Sequence, residues 1–491
     1  VNPDGVLYIA AARQIADGNL GQALRLYPMP AYPLLIAVVH FVIPDWITAG
    51  RVIGIAALVL ATVPLYGITR ILFNRQAAFW ATLCFAVTPE ANEQALMVIR
   101  DPVFLLMVLT AVLFFVQSIQ ERRLSKVALA LLFTGISFLF RVESVVFWGA
   151  PILFLVMASF LSKDTLMRRF SRKAAGIWVG IPLGLILILG VTLGPGLLGQ
   201  NRLDQLMAEA KQIIQFQAFD NYQSIYQYFK TIESDPPFSG FSKSLPAIVR
   251  HWMPLIYLIG LLEYFVKQLF PLFLLPLLAT MVNYLSNKGT PISLEKRFIL
   301  VTWLVYMLLV LYSFIVRDFI QGRFLFTPAT LLYPWVGYGI ILILQWLEGQ
   351  RFARPLRVAL VLTLIVVPCA KSAKNVFASD RGPLYAGRFI SSAPHLRDGT
   401  ILYSDSRLWL YAEGSNSYLN MIQTSRIVAQ HIENGNAEAL EQLALKHEAD
   451  ALVLSINLEK ADTIPKFYRY EIYKRFPSRK GVTIIYTLKS T

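Results

Sequence analysis

Four short stretches of this 491-residue chain bring carboxylates and arginines together. Asn2-Pro3-Asp4-Gly5 opens a helix-like run, Val6–Asp17, that carries Tyr8 and Arg13. Glu90, Glu93, Arg100 and Asp101 lie between Pro89 and Pro102. Arg141-Val142-Glu143 stands between two apolar runs with almost no loop. Arg317-Asp318 and Gln321-Gly322-Arg323 precede an apolar run interrupted by proline. The planar fork of arginine pairs bidentately with phosphate, and a positioned carboxylate can take a proton from a hydroxyl. Charge near a bilayer is costly and tends to be functional. Such groups around one polar cavity suit an anionic phosphate and a proton acceptor. The competing reading is structural: arginine–carboxylate pairs pin helix ends together, and Asp4 can cap the helix that follows it.

The elements that must hold these groups are apolar. Hydrophobic residues make up 56% of the chain and charged residues 15%, against about 25% in an ordinary soluble protein. There is too little charge to coat the several soluble domains that this length would otherwise form. The composition excludes a soluble multidomain enzyme, a disordered chain and a disulfide scaffold, and leaves a polytopic α-helical membrane protein. A span takes about 20 apolar residues. Ten stretches are read as spans: 46–70, 77–98, 102–119, 127–141, 144–161, 174–195, 254–285, 298–316, 324–347 and 356–371. The run 254–285 is too long for one straight helix, so it is expected to kink at Pro271 and Pro276 or to be re-entrant in part. A polytopic chain needs an early span to carry its polar start across, so a further helix is expected before Val1, giving eleven.

Loop charge sets the orientation. Loops 68–77, 120–126, 162–173, 286–298 and 348–357 hold sixteen Lys and Arg, and the alternate short loops hold four, Arg100, Arg141, Arg317 and Arg323. The positive-inside rule puts the first set in the cytoplasm and all four acid–arginine clusters outside. The net charge of +15 is then a loop property and implies no nucleic acid. Residues 196–253 mix aromatic and polar residues, as in Gln215–Tyr228, and are expected to form amphipathic helix at the interface. Beyond residue 371 the hydropathy falls, and 491 − 371 = 120 residues remain. Thr400–Asp405, Ala449–Ile456, Tyr468–Arg475 and Val482–Leu488 read as strands and Ala437–His447 as a helix. The expected organisation is a multi-span domain over 1–371 and a small extracytoplasmic α/β domain over 372–491.

The familiar soluble motifs are absent. There is no Gly-rich phosphate loop, HExxH or CxxC, which argues against a nucleotide or zinc site. His40, His251, His395, His431 and His447 have no metal-ligand spacing, and the identity of any metal stays unknown. Cys84 and Cys369, in distant apolar stretches, read as two buried thiols.

Two groups of residues carry a family resemblance. Asp4 to Arg13, then Gly18, then Pro28-Met29-Pro30-Ala31-Tyr32-Pro33-Leu34-Leu35, then Arg51, resemble the first external loop of GT-C glycosyltransferases. The branch they resemble is that of protein O-mannosyltransferases and the lipid A aminoarabinose transferase. Pro30-Ala31-Tyr32-Pro33 stands where Pro-Pro-Leu-Tyr is commoner, and Asp4-Gly5 where Asp-Glu is common. Arg100-Asp101-Pro102 resembles the acidic start of the family's fourth helix, Arg141-Val142-Glu143 an Arg-Pro-Glu-like turn, and Arg323 to Pro328 an Arg-Tyr-x-x-Pro pattern.

The resemblance implies a glycosyltransferase, hexosyl or pentosyl, that uses a polyprenyl-phosphate sugar donor on the side opposite the cytoplasm. Its acceptor would be protein, lipid or glycan; the lack of a cysteine framework favours a bacterial inner membrane over a eukaryotic secretory one. It implies Asp4 as catalytic base in an inverting displacement. Arg100, Arg141 and Arg323 would hold the donor phosphate, with Tyr8, Asp101, Glu143 and Arg317 binding substrate. A divalent cation, Mg or Mn, is left open. Other readings compete. A lipid-diphosphate-dependent ligase or polymerase would rest on Arg250-His251-Trp252, while a transporter or flippase would be expected to show a repeat between halves. A scaffold would need only the outer domain.

Overall fold

A computed structural model describes residues 2–197, 219–234, 244–286, 292–350, 353–377, 382–393, 396, 399–412, 425, 427–432, 434–457, 464–477 and 481–489. In chain order the helices are α1 (Pro3–Ala16), α2 (Leu20–Leu26), α3 (Ala31–His40), α4 (Trp46–Leu72), α5 (Arg75–Val87), α6 (Pro89–Leu96), α7 (Asp101–Glu121), α8 (Leu124–Phe138), α9 (Val145–Leu161), α10 (Thr165–Leu197), α11 (Asp220–Ser234), α12 (Ser244–Leu269), α13 (Leu274–Ser286), α14 (Leu294–Arg317), α15 (Phe326–Leu331), α16 (Tyr333–Glu348) and α17 (Ala353–Phe377). The C-terminal region adds α18 (Gly382–Ser392), β1 (Ile401–Tyr403), α19 (Ser406–Tyr411), α20 (Ala437–Lys446), β2 (Ala451–Asn457), β3 (Tyr470–Pro477) and β4 (Gly481–Leu488). The chain forms two compact units, one of Val1–Ile55, Glu93–Arg100 and Ala373–Thr491, the other of Ala56–Asn92 and Asp101–Ser372.

Among the described residues six helices are long and apolar enough to cross a membrane, or seven if one bent pair counts as a span. The difference from the ten expected stretches comes mainly from breaks. Residues 77–98 divide at Thr88, whose extended backbone (φ −60°, ψ 125°) is what a following proline favours. The run 254–285 divides at Phe270, which takes φ +73° directly before Pro271. Residues 322–348 bend by 57° between α15 and α16, near Pro334. The run 127–141 yields only the 15-residue α8. The expected helix at Gln215–Tyr228 is described only from residue 219, where α11 has no buried residue.

The three breaks lie together in the second unit. The Tyr333 hydroxyl pairs with Thr88 Oγ1 at 2.5 Å and lies 3.5 Å from the Leu269 carbonyl. Open backbone at membrane depth is tolerated where protein buries it, and these groups are buried. α16 approaches its neighbours closely enough to need glycine. A Cβ on Gly337 would fall 2.2 Å from the Ala77 carbonyl oxygen, and one on Gly339 1.8 Å from that of Pro276. Cys84 is buried as expected, but Cys369 is exposed. Its helix, α17, has few buried side chains, and an apolar run that faces lipid has no need of a protein core.

In the first unit, Val6, Tyr8, Ile9, Tyr32 and Ile36 pack α1 against α3. The C-terminal segment forms a four-stranded sheet of order β1-β2-β4-β3. β1 runs parallel to β2, with Ile401 opposite Ala451. β4 runs antiparallel to β2 and β3, with Leu452 opposite Tyr486 and an irregularity at Ile472/Lys474. Leu440 and Ala444 of α20 cover Leu452, Leu454 and Ile484, so the apolar stripe of the helix closes the core. Arg13 links this segment to the N-terminal helices, its guanidinium 5.9 Å from the Trp46 ring and 5.7 Å from that of Trp409.

Candidate active site

Local chemistry places Asp4. Asn2 caps α1, its side-chain oxygen accepting from the Gly5 amide at 3.0 Å. The capping role therefore falls to Asn2, and Asp4 sits half-buried in the first turn, where the helix dipole favours a carboxylate. Tyr8 follows one turn later on the same face and is buried. Its ring meets Tyr27 edge-on at 5.0 Å and Tyr32 at 5.2 Å. Arg100 Nη1 donates to the Tyr27 hydroxyl and, at 3.2 Å, to Met29 Sδ. The first unit thus links Tyr8 through Tyr27 to Arg100, with Asp4 one helical turn before Tyr8. Arg51 supports it, donating from Nε to the Leu96 carbonyl at 3.0 Å.

In the second unit Arg141 is the centre of a buried ionic cluster. Nη1 donates to Asp101 Oδ1, while Nε and Nη2 donate to the two Glu143 oxygens at 3.1 and 2.5 Å. The Arg141 and Asp101 side chains are 4% and 5% exposed, so this charge is paired where water cannot screen it. Phe104 and Phe324 pack against the guanidinium at 5.6 and 5.3 Å. Arg323, half-buried, also meets the Phe324 ring at 5.6 Å. Arg317, exposed at the end of α14, makes no ion pair with this cluster among the described residues. Beside it, Asp318 takes φ +50° and accepts from the Tyr257 hydroxyl at 2.8 Å.

Lys371 and Gln268 escaped sequence reasoning. Glu90 pairs with Lys371 at 2.9 Å, and that ammonium lies 5.0 Å from the Phe270 ring at a helix break. Gln268 is buried beside Gly322, where a Cβ would fall 2.9 Å from its Oε1. Its Nε2 is buried without a hydrogen-bond partner among the described residues. The signal for Gln268 and Lys371 was a polar residue inside or just after an apolar run. Arg250, by contrast, is held by Glu233 at 3.0 Å and the Tyr226 ring, while His251 and Trp252 are exposed. Among the described residues no group of three or more His, Cys, Asp or Glu is placed to hold a metal ion.

The comparisons agree with this architecture. Residues 28–192 match the family described as dolichyl-phosphate-mannose-protein mannosyltransferase. No curated protein matches the chain in sequence. In structure it is similar to the oligosaccharyltransferase of Archaeoglobus fulgidus crystallised with Zn and sulfate, at 12% identity and a TM-score of 0.53, covering 93% of this chain and 64% of that one. It is similar to apo ArnT from Cupriavidus metallidurans at 12% identity and a TM-score of 0.50, covering 99% and 93%. The archaeal oligosaccharyltransferase AglB from A. fulgidus, in complex with an inhibitory peptide and a dolichol-phosphate, matches at 12% identity and a TM-score of 0.50, covering 88% and 61%. The chain thus spans less than two thirds of the archaeal enzymes. The chain is an integral membrane protein with the GT-C fold, as the residues from Asp4 to Arg51 suggested.

Proposed function

We propose that the chain is a membrane glycosyltransferase that moves a hexosyl or pentosyl group from a polyprenyl-phosphate donor to an acceptor hydroxyl on the extracytoplasmic side. The acceptor oxygen attacks the anomeric carbon, the bond to the donor phosphate breaks, and the lipid phosphate leaves with the electron pair. Asp4 takes the acceptor's proton, a contribution of about 10²–10⁴-fold. Arg100 and Arg323 meet the charge that grows on the leaving phosphate. Arg141 acts through Asp101 and Glu143, because its donors are engaged there. Asp101, Glu143, Tyr8 and Arg317 contribute to substrate binding.

The observation that carries this reading is the linked set Tyr8, Tyr27 and Arg100, with Asp4 one helical turn before Tyr8, inside a GT-C fold. It sets a half-buried carboxylate, relieved of capping by Asn2, in one unit with a guanidinium from a distant segment. The dolichol-phosphate in the AglB complex supports a lipid phosphate as leaving group. The outer placement rests on loop charge. The full chain in lipid, given a panel of undecaprenyl-phosphate sugars, should release undecaprenyl phosphate. Asp4→Asn, folded to the same melting temperature, should lose that release. Turnover near that of the parent in Asp4→Asn removes Asp4 as the base.

A further inference from the structure

A cavity of about 550 Å³ in the second unit is lined by none of the residues assigned to sugar transfer. It lies where three helix ends meet: the start of α5, the end of α16 and the start of α17. Arg75, Arg357 and Glu348 form its charged part, and Phe79, Trp80 and Leu344 its apolar part. We infer that this cavity binds an anionic glycerophospholipid, with the phosphate between Arg75 and Arg357 and an acyl chain along Phe79, Trp80 and Leu344.

Charge and chemistry select that occupant. Glu348 pairs with Arg357 at 2.8 Å and fixes its guanidinium. Arg75 makes no ion pair among the described residues, so the three charged groups leave one positive charge uncompensated. Arg70 in the last turn of α4, five residues before Arg75, and Arg354 in the first turn of α17, three before Arg357, are exposed and add positive charge to the same stretches of chain. Basic pockets between membrane helices suit anionic headgroups, and arginine meets phosphate bidentately. Phe79 is 56% exposed, which is costly in water and natural beside hydrocarbon. Trp80 suits the headgroup boundary. A free phosphate would use the arginines and leave the apolar wall unused. The site needs only a membrane-embedded chain, so it stands apart from the proposed sugar transfer.

Native mass spectrometry of the full chain in detergent tests it, titrating long-chain phosphatidylglycerol and phosphatidylcholine. The expected result is preference for phosphatidylglycerol, falling by about tenfold or more in the Arg75→Gln/Arg357→Gln double variant and unchanged in Arg168→Gln/Arg169→Gln. Millimolar inorganic phosphate should not displace the lipid. Equal binding of the two lipids, or equal affinity in the double variant, overturns the proposal. Displacement by inorganic phosphate overturns it in favour of a simple anion site. Phe79→Ser keeps the test open if the double variant does not fold. It should weaken long-chain phosphatidylglycerol and spare a short-chain analogue, and an equal effect on both counts against the acyl contact.

Discussion

Arg141 and Arg323 lie against one ring: their guanidinium carbons are 5.3 and 5.6 Å from the centroid of Phe324. The two arginines behave differently around it. Arg141 is buried and tied to Asp101 and Glu143, whereas Arg323 is half-buried at the 3-10 turn Gly322–Leu325. Phe324 thus lies between a fixed cation and the one proposed to meet the donor phosphate.

Replacing the ring by an aliphatic group removes both ring contacts at similar volume. A cation–π contact is worth about 0.5–2 kcal/mol. Phe324→Leu should therefore lower kcat/KM for the lipid-phosphate donor by about 2- to 30-fold. Phe324→Tyr should retain most of it. Steady-state kinetics of both variants, with melting temperatures measured alongside, check this. An equal loss in Phe324→Tyr would point to packing alone.

Arg141 is expected to act on stability first. Breaking a buried ion pair by removing one partner costs about 3–5 kcal/mol, because the other charge is left behind. Arg141→Met and Asp101→Asn should each lower thermal stability in detergent. The double variant should be more stable than the sum of the single losses predicts, since it strands only Glu143, whereas Arg141→Met alone strands both carboxylates. Additive losses would show that the two groups are not energetically coupled. Arg141→Lys should not restore the parent, because one ammonium cannot serve two carboxylates in the geometry of the guanidinium fork.

Asn2 and Asp4 separate capping from chemistry within three residues. Asn2→Ala removes a helix cap and should cost about 1 kcal/mol of stability. It should keep the turnover of the folded protein. Asp4→Asn should do the reverse, keeping the melting temperature within a degree or two while turnover falls by about 10²-fold or more. Parallel melting and turnover measurements decide. A turnover loss in Asn2→Ala as large as that in Asp4→Asn would mean that both residues serve only to hold α1 in place.

The sequence made the charged clusters legible because charge is scarce in it. Arg141-Val142-Glu143 stands out between two apolar runs, and its partner Asp101 was already singled out as the acid before Pro102. The C-terminal strands were equally visible, since β2 is a short apolar run and β4 is rich in β-branched residues. The breaks at Thr88 and Leu332 were missed because averaged hydropathy runs smoothly across them, although Pro89 and Pro334 were the local signal. Phe324, Gln268 and Lys371 were missed for another reason. Their partners Arg141, Gly322 and Glu90 come from distant segments, and an apolar span does not announce which of its faces meets protein.

High pH should weaken the C-terminal sheet. Burial pushes the Tyr486 phenol up from its ordinary value near 10 to about 12, and Tyr470 is raised in the same direction. Between those pH values the unfolded chain has released the phenolic proton and the folded chain still holds it. The unfolded state then binds fewer protons, so stability is fully present below pH 10 and declines as pH rises toward 12. Tyr486→Phe should flatten the decline and also lose the hydrogen bond to the Pro465 carbonyl at 3.0 Å, about 1 kcal/mol at every pH. Unfolding of the full chain followed at sheet residues checks this. An unchanged slope in the variant would assign the decline to other groups.

The close packing of α16 sets a sharper limit. A Cβ on Gly339 would fall 1.8 Å from the Pro276 carbonyl oxygen and 2.8 Å from Thr280 Oγ1. The first obstacle is backbone, which a rotamer change cannot move. Thr280 Oγ1 also bridges to the Trp335 carbonyl at 2.8 Å, so pushing α13 away breaks a buried hydrogen bond as well. Overpacking of this kind costs about 1–3 kcal/mol or more. Gly339→Ala should therefore destabilise the protein, and because α16 follows the bend beyond Arg323, it should also reduce turnover in the fraction that folds. Gly176→Ala is the control. At that position, in the interior of α10, an added methyl group would meet nothing within 4 Å, so the change should be neutral or stabilising by up to about 1 kcal/mol. Comparable melting temperatures for the two variants would show that α16 can move away from α13 at little cost, and the Tyr333 junction would then not depend on that packing.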